Sequence, residues 1–296
     1  MTITTTLPTT TLPTVSPPAL AFPTNAANAG SRPEPTIRRR GDDIAALPAA
    51  LRSEWIKLRS LRSTPGLLGG VVIIGVLLSW ILATFVKTDP NTHLPFTIGE
   101  TFVFSTWLTM ILAIVVGTLS FTAEVQHGTL ATAVTTQPAR WVIVTAKSVV
   151  GSGLGLAMGI LGMAGGLAGA VLGGLKAGDT SGSLATAGWG LLLTALAPML
   201  GLGIGMIIRH SAGAITTVLV WALVIENLTK GFAPAKFTRL LPFSAAAGLL
   251  NIKTAGDNAK TLAAALTRLQ DAFVFSIYIA LAVAIGTALL YRTDAN

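Results

Sequence analysis

Long stretches without a single ionisable side chain constrain this chain more than any other feature. Leu67–Val86 and Thr101–Phe121 carry no charge at all. A hydrocarbon core about 30 Å thick is crossed by a helix of about 20 apolar residues, so each stretch is long enough to span a bilayer. Four more such stretches lie further along the chain. Val142–Leu175 holds one charge, Lys147, which places its first turns outside the hydrocarbon; Leu184–Ile208 and Ala212–Leu228 hold one at most. The turn at Arg209-His210 between these last two is tight, which makes them an antiparallel pair. Ala272–Tyr291, ending at Arg292, is the last. The expected fold is all-α integral membrane, with six transmembrane helices over residues 66–292. Six spans put both termini on one side.

Only 11% of the residues are charged, against about a quarter in average soluble chains. The net charge of +8 does not indicate nucleic acid, because the lysines and arginines flank apolar spans, where they set orientation. Arg52, Lys57, Arg59, Arg62, Arg140, Lys147, Arg209 and Arg292 then mark the cytoplasmic face, while the first two outer loops carry only Lys87 and Lys176. Loop 229–271 runs against this count with six basic residues, but the flank of the first span usually dominates. The expected location is a bacterial plasma membrane, with both termini cytoplasmic.

The absence of cysteine removes disulfides, thiolate metal sites and cysteine nucleophiles. His93, His127 and His210 lie in separate segments without ligand spacing, so no metal is expected. Ser152 lies between glycines, yet no histidine or paired acid within a span could activate it. No glycine-rich loop ends in Gly-Lys-Ser/Thr, so the chain has no P-loop for ATP.

Residues 1–46, rich in Thr, Pro, Ala and Asn, are expected to form a disordered cytoplasmic tail. They do not read as a signal peptide, because Arg38, Arg39 and Arg40 come late, with no apolar core before them. Residues 47–65 read as an amphipathic interfacial helix with Leu47, Leu51, Trp55, Leu58 and Leu61 on one side, ended by Thr64-Pro65-Gly66. Glu54 points toward the leucine side and needs a partner, from Arg62 or another protein. Between the second and third spans, 123–135 fits a short cytoplasmic helix closed by Pro138. Glu124, at the membrane edge, should face a polar partner.

Gly151, Gly155 and Gly159 repeat every four residues, as do Gly165, Gly169 and Gly173. Such spacing fits either a tight subunit or bundle interface or an ordinary glycine-rich span. Pro198, Gly201, Gly203 and Gly205 are placed to kink the fourth span. Glu226 is the one acid within a span. It either pairs with Lys230 at i, i+4 or forms a substrate-pathway site for a cation.

The pattern Glu124-x-x-x-Gly128-Thr129, eight residues, Pro138-x-Arg140 and then Lys147 resembles the type-2 ABC transporter permeases. The opening Arg52-Ser-Glu-Trp-Ile-Lys-Leu-Arg-Ser-Leu-Arg-Ser-Thr64 is similar to the N-terminal elbow helix of actinobacterial members, and Leu241-Pro-Phe-Ser-Ala-Ala-Ala and the closing Tyr-Arg-x-Asp also fit. The resemblance covers residues 50–296. It implies that Glu124, Gly128, Thr129, Pro138 and Arg140 form a coupling helix docking on a separate ATPase, and that Glu54, Trp55, Lys57 and Arg59 lie in the elbow. Loop 229–271 would hold short external helices at the exit, with Leu262, Leu266 and Leu269 on one face. The chain would be a non-enzymatic permease subunit for efflux of a lipophilic or amphipathic cargo such as an antibiotic. ATP and magnesium would sit in two copies of the partner ATPase, and a second permease chain would complete a homodimer in the lipid. A secondary transporter or channel without an ATPase is the alternative. It usually places several ionisable residues at mid-membrane, where this chain offers little beyond Glu226.

Overall fold

The structure is a computed structural model, and it describes residues 40–88, 98–136, 139–175, 180–252 and 265–292. All the regular elements among the described residues are helical. In chain order those longer than four residues are α1 (Arg40–Ser60), α2 (Ser63–Thr88), α3 (Ile98–Gln126), α4 (Thr129–Thr136), α5 (Arg140–Leu172), α6 (Thr180–Ile208), α7 (Ser211–Phe232), α8 (Pro242–Leu249) and α9 (Arg268–Arg292). Six of these, α2, α3, α5, α6, α7 and α9, are long and apolar enough to cross a membrane.

Two helix boundaries move from their expected places, each for a local reason. Residues 1–39 of the expected tail lie outside the described residues, but 40–46 belong to α1, which carries Asp43 near its start. Acids there are favoured by the partial positive charge of a helix N-terminus. The break expected at Thr64-Pro65-Gly66 falls instead at Leu61–Arg62, and α2 already starts at Ser63. Pro65 is tolerated because its missing N–H belongs to the first turn, where no intrahelical acceptor exists. The Thr64 hydroxyl donates to the Leu58 carbonyl at 2.8 Å and holds the corner together.

Half or more of the best-defined membrane windows of α3, α5 and α6 are buried, against about a fifth in α2, α7 and α9. The first three therefore form the centre. Around them, α2 packs on α5, α7 on α3 and α9 on α6. The outer helices keep large apolar side chains exposed, among them Ile73 and Phe85 on α2 and Phe273 and Leu281 on α9. These are surfaces for lipid or for another apolar chain.

Helices approach closely in the centre because small residues line the seams. A methyl added at Gly155 or Gly159 would strike Thr194 of α6, at Gly162 Thr109 of α3, and at Gly165 or Gly169 the backbone of Val72 or Val76 of α2. Gly173 meets Ala83, and Gly151 lies beside Pro198. The glycine stripe of the third span thus joins helices of the same chain. α6 continues without interruption through Pro198, whose backbone sits on Gly117. Between α6 and α7 the reversal takes two residues: Arg209 is left-handed at φ 57°, and His210 caps α7 by accepting from the Gly213 N–H at 3.2 Å. Within α7, Trp221–Ile225 form one π turn.

Candidate functional site

Charged groups concentrate where α3 ends, α5 begins and α1 lies alongside. Lys147, in the second turn of α5, is almost entirely buried, with 2% of its side chain exposed. It is enclosed by neighbouring helices rather than by solvent. Its ammonium donates to Glu124 Oε1 at 2.7 Å, to Glu54 Oε2 at 3.0 Å and to the Ser120 carbonyl at 3.3 Å. Lys57, half exposed on α1, donates to Glu54 Oε1 at 2.6 Å and Glu124 Oε1 at 2.9 Å. Two acids and two bases therefore form a closed ring across three helices. Glu54 finds its partners in Lys57 and Lys147 rather than in Arg62 or a second protein.

An isolated buried ammonium would lose its proton or unfold its surroundings, so Lys147 depends on both carboxylates. At Lys57 partial burial pulls the pKa down, but the bonds to Glu54 and Glu124 outweigh it and hold the group above its ordinary 10.5. The second oxygen of Glu124, Oε2, is buried with no hydrogen-bond partner among the described residues.

The ring sits directly above a turn. α3 runs on to Gln126, so the helix expected over 123–135 is shorter and lies at Thr129–Thr136. The separation is made by Gly128, at φ +69°, a left-handed conformation that costs other residues about 1 kcal/mol. Its N–H bonds the Val125 carbonyl at 3.2 Å, and the Thr129 hydroxyl donates to the Glu124 carbonyl at 3.3 Å. Ser211 at the start of α7 donates to Thr122 and Gln126 at the same end of α3. Pro138 lies outside the described residues.

Arg140 occupies an unexpected place. It is buried at the start of α5, donates to the Leu290 carbonyl and lies 5.3 Å from the Tyr291 ring centre. Arg209 donates to the neighbouring Leu289 carbonyl at 3.0 Å. The last carbonyls of a helix lack intrahelical donors and carry partial negative charge, so two guanidinium groups clasp the end of α9. Arg140 thus faces the last helix. Trp55 and Arg59 are exposed on α1, while Glu54 and Leu58 of the same helix turn inward.

At the other end of the bundle, Glu226 is 1% exposed. Its Oε1 accepts from the Phe243 N–H at 2.8 Å and the Trp221 indole N–H at 3.3 Å; its Oε2 accepts from the Ser244 hydroxyl at 2.9 Å. The carboxylate is taken up by the start of α8. Lys230 is not within ion-pair distance, although its charge still acts on the carboxylate, and two of the three hydrogen-bond donors come from a helix 17 and 18 residues further along the chain. Of the external leucines, Leu262 lies outside the described residues, and Leu269 is exposed at the start of α9.

A comparison with known families matches residues 50–227 to the ABC-2 family transporter proteins. No curated protein matches the chain. The matched stretch runs from α1 to the residue after Glu226 and takes in the whole ionic ring, the turn at Gly128, four of the six apolar spans and most of a fifth. Six such helices and a match over more than half of the sequence lead to one assignment: the chain belongs to the ABC-2 family and is a multi-pass membrane permease subunit, of the kind that works with an ABC ATPase.

Proposed function

We propose that this permease exports a lipophilic or amphipathic substrate from the bacterial cytoplasm by alternating access, driven by ATP hydrolysed in a separate subunit. The observation that carries the reading is the ring of Glu54, Lys57, Glu124 and Lys147, which ties α1 to the adjoining ends of α3 and α5 beside α4. A push on α4 would reach α3 through the short turn at Gly128, and α1 and α5 through ion pairs. In this reading α1 is the elbow, with Trp55 and Arg59 outward. Residues 124–140 are the docking segment, with Glu124, Gly128 and Thr129 setting its geometry, Pro138 its end and Arg140 its link to α9.

Orientation comes from the same end of the bundle. Lys57, Arg140, Lys147 and Arg209 gather there, which supports a cytoplasmic face with both termini inside. ATP and magnesium would be held by two ATPase copies, and two permease chains would form a twofold pair, the commonest symmetric closure. The centre supports an apolar cargo: the hydroxyls of Thr109, Thr118 and Thr122 bond carbonyls one turn back in α3.

Reconstitution with the ATPase tests this reading through Glu124→Ala. The variant should insert normally and let hydrolysis continue while coupled export drops by at least about tenfold, since one partner of a buried ionic network is lost. Unchanged export per ATP hydrolysed would contradict the assigned role of the ring.

A further inference from the structure

Glu226 is an intramembrane acid with no lysine or arginine at ion-pair distance among the described residues. Its three donors are a backbone N–H, a hydroxyl and an indole. Two of these belong to the first turn of α8, and that helix has no cap of its own. Leu241 stands at the N-cap position and offers no side-chain bond, and Pro242 at the first helical position has no N–H. The first donor α8 presents is therefore Phe243 N–H, and Glu226 of α7 takes it. A carboxylate at a helix N-terminus is stabilised both by the hydrogen bond and by the helix dipole.

The aim of Glu226 is set by the π turn just before it. A π turn adds one residue to an α-helix and rotates every later residue by about 100° relative to an uninterrupted helix. It also brings Trp221 and Glu226, five residues apart, into bonding distance. Without the extra residue, the acid would point away from α8.

What the acid holds in place is a short buried helix. Phe243, Ala245, Ala246, Leu249 and Leu250 of α8 and its end are each at most 4% exposed. Leu250 reaches the seam between α6 and α3, beside Gly190 and Thr106, and Gly248 lies against the carboxylate of Asp271 on α9. We propose that Glu226 is the positioning residue for α8: it caps this short helix from a neighbouring span and so keeps it seated between α6 and α9. The acid's charge is then committed to a helix terminus, and cargo charge is not what it recognises. The inference rests on α7, α8 and the helices that α8 packs against, and stands whether or not an ATPase docks at the other end.

The chain has no cysteine, so a single reporter is clean. Ala246→Cys in the full-length protein, purified in nanodiscs so that both faces are open, would be reacted with a water-soluble maleimide. With Glu226 intact, labelling should be slow. Glu226→Ala should accelerate it about ten- to hundredfold, the effect of losing a hydrogen-bonded charge on the seated equilibrium. Glu226→Gln, which can still accept from Phe243, should fall between the two. Ser244→Ala removes one donor and should raise the rate by a smaller factor, and add little on top of Glu226→Ala, because both act on the same bond. Should Glu226→Ala fail to fold, Ser244→Ala and Glu226→Gln carry the test by themselves. Folded variants that label as slowly as the parent would overturn the proposal. So would variants that label slowly yet lose transport of cationic cargo alone, which would make Glu226 a cargo site.

Discussion

The two ends of the bundle neutralise buried charge by different means. At the end where α1 meets α3 and α5, two carboxylates and two ammonium groups compensate one another, and the ring spans three long helices. At the far end, where Glu226 and Asp271 are both buried, the Glu226 carboxylate is compensated by the first turn of one eight-residue helix. The difference is mechanical as well as electrostatic. Lys147 at the centre of the ring cannot part from Glu54 or Glu124 without leaving a charge unpaired in an apolar surround, which favours joint movement of α1, α3 and α5. When a helix terminus lets go of a carboxylate, the departing groups are neutral and a single charge is left to be solvated. The first arrangement suits an element that transmits motion, the second one that yields to it.

The sharpest way to break this comparison is Lys147→Met. It would leave Glu54 and Glu124 facing each other with only half-exposed Lys57 between them, at a cost of about 3–5 kcal/mol in unfolding measured in mixed micelles. Adding Glu124→Gln to that variant should recover a large part of the loss, because fewer unpaired charges then remain. Glu226→Gln should cost less, about 1–2 kcal/mol, since the amide oxygen can still accept from Phe243. If the two single variants were equally destabilising, the contrast between the ends would be wrong.

Gly128→Ala sharpens the inner end. The left-handed turn should resist the added methyl by about 1 kcal/mol, although nothing lies within 4 Å of it, so the effect would be conformational rather than steric. Lys57→Ala should change least, within about 1 kcal/mol, because the side chain is half exposed and water screens the pair. Its pH dependence has a definite sign. The folded protein raises the Lys57 pKa, so its contribution is complete below the ordinary 10.5 and fades only as pH rises through the higher folded value. Unfolding curves of the parent and Lys57→Ala should therefore keep a constant offset through neutral pH and converge only in strong alkali.

The spans are legible because a bilayer imposes a length and an apolar composition that sequence records directly. The candidate sites are legible only in part, and the failures share a cause. Sequence shows local neighbours, so it pairs Glu54 with Arg62 and Glu226 with Lys230, whereas Lys147 is 93 residues from Glu54 and Phe243 is 17 from Glu226. One signal for the second is present. Pro242 marks a helix start without a capping side chain, and an uncompensated acid in a span calls for such a partner. Arg140 reads from sequence as the close of the docking segment because its acceptor is a backbone carbonyl 150 residues away, which no side-chain pattern reveals.

The central claim, that this permease is driven through the end bearing the ionic ring, is tested most directly by co-purification. The full chain would be extracted in mild detergent after expression with its chromosomal neighbours, beside a variant with residues 129–136 replaced by a glycine-serine linker. A P-loop ATPase recovered in stoichiometric amount with the parent and lost with the variant is the predicted result. A stable assembly of this chain that brings down no ATPase, or one whose ATPase ignores the replaced segment, would contradict the account.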